Sequence, residues 1–176
     1  FQGWALTNRA ALQPSRAQVE EAKGVVRDAT ARLKGRLVID FVPPDYYSDF
    51  PKACMNGWGS TGLNVSPDGT VLPCHAAATI PGLTFERVQN VPLADIWNKG
   101  AAFNAYRGTE WLPELCQTCE RRDVDFGGCR CQAMAVLGDA SAPDPVCVKS
   151  PGRKALDALL AEEGQAVKVP DYVYRR

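Results

Sequence analysis

Three features of the 176-residue sequence predict an α+β chain. A capped, amphipathic helix stands between two short apolar runs, the pattern of a strand–helix–strand unit. A Pro-Asp-Gly turn between apolar-rich segments marks a β-hairpin. Seven cysteines, four of them crowded between Cys116 and Cys131, mark loops held by sulfur or metal chemistry rather than by a large core.

The opening segment, Phe1 to Arg9, reads as a strand running into a loop. A helix begins at Ser15, where Ser15-x-x-Gln18 forms a capping box and Glu20 and Glu21 suit the positive first turn. Val19, Ala22, Val26, Ala29 and Leu33 recur in steps of three and four as one apolar stripe. Lys34 and Gly35 supply a basic last turn and a left-handed cap. Leu37 to Val42 predicts a second strand, stopped by Pro43-Pro44. Such a unit with a right-handed crossover needs further strands beside it. Together with a first residue that is Phe and not Met, this predicts the terminal piece of a larger α/β domain.

Residues 43–62, rich in proline, glycine and tyrosine, read as a loop that carries Cys54. Leu63 to Cys74 predicts a hairpin turning at Pro67-Asp68-Gly69 and presenting Cys74 at its far end. From Leu93 a helical face of Ile96, Trp97, Phe103 and Tyr106 is expected in the core, with Pro92 near its start and Gly100 weakening its middle. After the cysteine-rich stretch come a short helix over QAMAVLG and a proline-rich loop to Cys147. A last helix follows from Ser150-Pro151 through Leu156, Leu159 and Leu160 to Gly164, and VKVPDYVYRR ends the chain as a surface arm.

Composition narrows the function. A 45% hydrophobic and 23% charged chain with 20 basic and 20 acidic residues has neither the surface charge of a nucleic-acid binder nor that of a membrane binder. No apolar run approaches the ~20 residues of a membrane span. With no leader pattern at the start, a cytoplasmic protein is expected. There, an odd cysteine count with Cys-x2-Cys spacing points to metal ligation over disulfides. Two four-ligand sites require eight donors, so the eighth is His75, a carboxylate or an open position. His75 directly follows Cys74, and neighbouring strand residues face opposite ways, so shared ligation there is disfavoured. Two structural zinc sites in a non-enzymatic binding module are the competing reading. A thioredoxin-like role for Cys116-x2-Cys119 lacks its βαβ setting.

Cys54, Gly69-x4-Cys74, Cys116-x2-Cys119, Cys129 and Cys147 resemble the SPASM domain of radical S-adenosylmethionine enzymes that modify peptides. In that pattern a cysteine lies six residues beyond the Cys-x2-Cys pair and four before the next cysteine. Here the position is Asp125. CMNGWGSTGLNVSPDGTVLPCHAA, ADIWN and CERRDVDFGGCRCQA resemble the peptide cyclases of pyrroloquinoline quinone biosynthesis, and GWALTNRAAL resembles the end of their radical S-adenosylmethionine barrel. The resemblance implies a partial (β/α) barrel and linker over residues 1–52, a SPASM domain over 53–150, and a helix and tail over 151–176. It implies two auxiliary iron–sulfur clusters, [4Fe–4S] or [2Fe–2S]. Cys54, Cys74, Cys129 and Cys131 would hold the first, and Cys116, Cys119, Asp125 and Cys147 the second. It further implies the precursor peptide PqqA as substrate, its small chaperone PqqD and a redox protein as partners, and C–C bond formation between a Glu and a Tyr side chain. The Cys-x3-Cys-x2-Cys motif that binds the S-adenosylmethionine cluster is nowhere in these residues, so the chain alone is expected to be inactive, and no catalytic residue is assigned.

Overall fold

The computed structural model describes residues 7–161. Its secondary structure is mostly short helices, joined by turns around one small sheet. After α1 (Arg9–Leu12), α2 spans Arg16–Arg32. The predicted capping box is present: the Ser15 hydroxyl accepts from Gln18 N at 3.1 Å, and Gln18 Oε1 accepts from Ser15 N at 2.7 Å. The stripe forms the less exposed side of α2, although Val19 is its one buried residue.

The strand predicted at residues 37–42 does not form, and this corrects the strand–helix–strand reading. A parallel strand exists only when a neighbour accepts its backbone hydrogen bonds. Among the described residues none lies beside this segment, and Val38 and Val42 are 92% and 76% exposed. The first predicted strand falls largely on residues outside those described.

The hairpin forms as predicted. β1 (Asn64–Val65) pairs antiparallel with β2 (Val71–Leu72), with Asn64 opposite Leu72 and Val65 opposite Val71. Gly69 turns the chain at φ 85°, where only glycine is unstrained. The Asp68 carboxylate fastens the turn by accepting from Thr70 N, Thr70 Oγ1 and Arg87 Nη2. Thr70 bridges to Arg87, adding a partial third strand.

The expected helix from Leu93 is two helices, α3 (Leu93–Lys99) and α4 (Ala101–Asn104), broken at Gly100. A side chain at Gly100 would meet the Ile96 carbonyl at 2.4 Å, so the break requires glycine. Val71, Ile96 and Phe103 form one apolar cluster with Trp97 against it. Tyr46, Val146 and Leu156 form another, joining the loop before Cys54 to the final helix. The cysteine-rich region adds α5 (Glu114–Gln117), α6 (Arg122–Asp125) and α7 (Arg130–Leu137), the last capped by Gly138 at φ 73°. α8 (Arg153–Ala161) follows a turn in which the Ser150 hydroxyl accepts from Gly152 N. The predicted end of this helix at Gly164 and the tail lie outside the described residues. Among those described, no helix is long and apolar enough to cross a membrane.

A candidate pair of metal centres

Four of the seven cysteines meet in one place. Cys54 lies on a 3-10 turn, Cys74 just beyond β2, and Cys129 and Cys131 at the start of α7. Their thiols form a hydrogen-bonded ring in the order Cys54, Cys74, Cys131, Cys129. Cys54 and Cys131 are pushed far above the ordinary thiol range, first by their contact with Cys129 and then by Cys74. Cys74 and Cys129 are pulled down to about 2 and about 3, first by Cys131 and then by Cys54. Thiols packed this closely share protons with one another, and thiolate is the form that binds metal.

The ring sits in an apolar shell. Trp58, Ala76, Ala77, Ile80 and Ala140 pack with Cys74 and Cys131, and Leu83, Phe85, Tyr106 and Met134 close around them. Trp58 is fixed by donating from Nε1 to Ala102 O at 2.8 Å and by an edge contact with Tyr106 at 5.2 Å. Ala76 N donates to Cys74 Sγ at 3.5 Å, and Gln132 N donates to Cys129. His75, in the turn after Cys74, is exposed while Cys74 is buried.

The other predicted donors line a second place. Cys116 from α5, Cys119 after it, Asp125 at the end of α6 and Cys147 border one cavity, with Pro51, Arg121, Asp144 and Lys149. Burial raises the Cys116 thiol, Arg130 opposes this, and Cys147, Asp125 and Cys119 add to it, as close negative groups do. Asp125 is buried, unlike an ordinary surface carboxylate. Its Oδ2 accepts from Arg121 Nε at 3.0 Å and its Oδ1 from Gly127 N at 3.1 Å. Arg121 is itself stacked on Phe50, 4.3 Å from the ring centre. Lys149 approaches Cys119 Sγ at 3.7 Å and pairs with Glu120 at 2.7 Å.

Between the two places runs Gly127-Gly128, with both φ angles positive. A side chain on Gly127 would meet Leu112 at 2.6 Å, and one on Gly128 would meet Asp144 Oδ2 at 2.4 Å. The pair folds the chain tightly, and its N–H groups serve Asp125, not sulfur. Gly127 N donates to Asp125 Oδ1, and Gly128 N to Asp125 O.

Two buried charged residues escaped the sequence reading. Arg130, 1% exposed, donates to the carbonyls of Gly127, Ala140 and Ala142 and stacks on Trp111. Asp144, 1% exposed, accepts from Cys129 N, Gln132 Nε2 and Val146 N. Burial raises its carboxyl to about 6, against the pull of the Val146 and Cys129 N–H groups. The one sequence signal for Asp144 is a carboxylate fixed between Pro143 and Pro145, three residues before a cysteine.

Among the described residues, no three His, Cys, Asp or Glu side chains are placed to grip a single metal ion. The thiols form a ring instead of converging on a point. A cluster suits that arrangement, since each thiolate binds its own iron and the donors need not share one ion. In the cavity, a carboxylate with two oxygens keeps lone pairs free beyond those used by Arg121 and Gly127.

Known proteins resemble the chain over this region and beyond it. The SPASM family, an iron–sulfur cluster-binding domain, matches residues 54–120. A protein of Ruegeria pomeroyi named PqqA peptide cyclase is 60% identical over 176 residues, covering 100% of the chain and 47% of that protein. Over its length the chain is similar to the PqqA peptide cyclases. PqqA peptide cyclases of Rhizobium meliloti and Methylobacterium nodulans are 58% and 56% identical over 175 residues, each covering 99% of the chain and 46% of the relative. The chain therefore spans about half the length of these PqqA peptide cyclases, and it carries the SPASM domain within that half.

Proposed function

We propose that this chain is the auxiliary-cluster portion of a radical S-adenosylmethionine peptide cyclase acting in the cytoplasm on the PqqA precursor in pyrroloquinoline quinone biosynthesis. The observation that carries the reading is the ring of Cys54, Cys74, Cys129 and Cys131, drawn from three separate segments into one apolar shell. Those four residues would hold one cluster, and Cys116, Cys119, Asp125 and Cys147 the other. Residues 1–52 would belong to the end of the catalytic barrel, 53–150 to the cluster domain, and 151–176 to a closing helix and tail.

Joining a glutamate carbon to a tyrosine carbon removes one hydrogen from each. One leaves with the initiating radical, and the other as a proton and an electron. When bound, an iron–sulfur cluster supplies a one-electron carrier whose potential is set by ligands, charge and exposure. The chain's own residues exclude water from the first centre with Trp58, Ile80, Phe85 and Met134. At the second they place a hard oxygen donor, Asp125, among soft thiolates, which favours the oxidised metal and permits exchange. Arg121 holds the other side of that carboxylate. The S-adenosylmethionine cluster, the binding of PqqA and its chaperone PqqD, and docking of a redox protein belong to the longer protein.

The test is iron and sulfide analysis with electron paramagnetic resonance on anaerobically prepared full-length enzyme, wild type and Asp125→Ala. Two auxiliary signals in the wild type, with the second altered in Asp125→Ala and peptide crosslinking reduced by about tenfold or more, are expected. Colourless, zinc-containing wild-type protein would overturn the cluster reading.

A further inference from the structure

We infer that Asp144 is a positioning residue that fixes one ligand from each centre at the same time. Its Oδ2 accepts from Cys129 N at 2.6 Å, which anchors a cysteine of the thiol ring. Its backbone oxygen accepts from Cys147 N at 3.0 Å, which anchors a cysteine of the cavity. Its Oδ1 accepts from Val146 N at 2.8 Å and Gln132 Nε2 at 3.1 Å, so the carboxylate is held on both sides. Gly128 packs so closely on it that no Cβ fits between them. A carboxylate with every oxygen engaged, 1% exposed and flanked by Pro143 and Pro145, has little freedom to move.

The arrangement also decides where an amide points. Cys129 N, the donor nearest its own sulfur along the chain, is committed to Asp144 and withheld from the ring. Hydrogen bonds to cluster sulfurs and the groups behind the ligands set the reduction potential. A shift of Asp144 therefore acts on both centres together. The inference rests on the reading that both donor sets hold clusters.

The experiment uses anaerobically reconstituted full-length enzyme and follows both auxiliary signals in a redox titration monitored by electron paramagnetic resonance. Asp144→Asn keeps size but replaces one acceptor oxygen with an NH2 that faces an N–H donor, so one anchor is released. Wild-type iron and sulfide with both midpoint potentials displaced is the expected result. Potentials unchanged at either centre would overturn the inference, as would lowered iron content with unshifted potentials in the clusters that remain, since a merely structural role predicts that. If Asp144→Asn does not assemble, Asp144→Glu keeps the charge and both acceptors but moves them by one methylene. Displacement of both potentials in that variant supports the bridge, and a wild-type potential at either centre overturns it. Wild-type enzyme without iron and sulfide would overturn the cluster reading itself, and this inference with it.

Discussion

At the scale of single residues, Gly128 is where the two centres leave least room. Its φ of 79° is one that an L side chain adopts at a cost of about 1–2 kcal/mol. A methyl group there also drives into Asp144 Cβ and Cγ at 2.6 and 2.8 Å, neither of them the free end of a flexible side chain. Gly128→Ala is therefore expected to lower stability by more than the backbone term alone, read as a fall in urea midpoint with an unchanged slope. The same substitution should reduce iron content at both centres, because Asp144 stands between them. The glycine pair stands in plain view in the sequence, but its partner does not. Cysteines and glycines have few bland roles in crowded loops, whereas an aspartate between two prolines reads as surface until its neighbours are placed. Asp125 became visible only through spacing against a known pattern, and it is buried in the structure.

At the scale of elements, the hairpin and the helices beside it deliver Cys74. Val71 on β2 packs on Ile96 of α3 and Phe103 of α4, and Phe103 is fully buried. Phe103→Ala should cost about 3–5 kcal/mol through lost burial and the cavity left behind. Since β2 leads directly to Cys74, iron should be lost from the thiol ring ahead of the cavity, seen as earlier decay of one auxiliary signal on warming. These elements were legible because local chemistry dictates them: a capping box, a Pro-Asp-Gly turn and an apolar face interrupted at Gly100. The segment at residues 37–42 shows the opposite case. Its apolar run has the composition of a strand, yet a strand is an agreement between two segments, and composition describes only one. Likewise, the four-residue helices α5 and α6 follow from turns around Cys116, Cys119 and Asp125 and leave no periodic trace.

For the molecule as a whole, the described residues offer a modest core: a two-residue-per-strand sheet, mostly short helices and three separate apolar clusters. Ligands that bring distant segments together then contribute folding free energy directly. Stripping metal from the full-length protein with a chelator under anaerobic, oxidising conditions should lower its melting temperature by several degrees or more. Near-ultraviolet circular dichroism from Trp58, Tyr106 and Trp111, which meet edge to face in succession, should fall more than the far-ultraviolet helix signal. An unchanged near-ultraviolet spectrum would mean that the aromatic shell stands without metal.

The order of the donors along the chain has a further consequence. Cys54 and Cys74 belong to the ring, Cys116, Cys119 and Asp125 to the cavity, Cys129 and Cys131 to the ring again, and Cys147 to the cavity. The two sets are threaded through each other. No single cut in the polypeptide separates a complete ring from a complete cavity, so neither centre is transplantable as a cassette. A ribosome emitting this chain releases the last ring cysteine before the last cavity cysteine, which gives the two centres a fixed order in which they become complete.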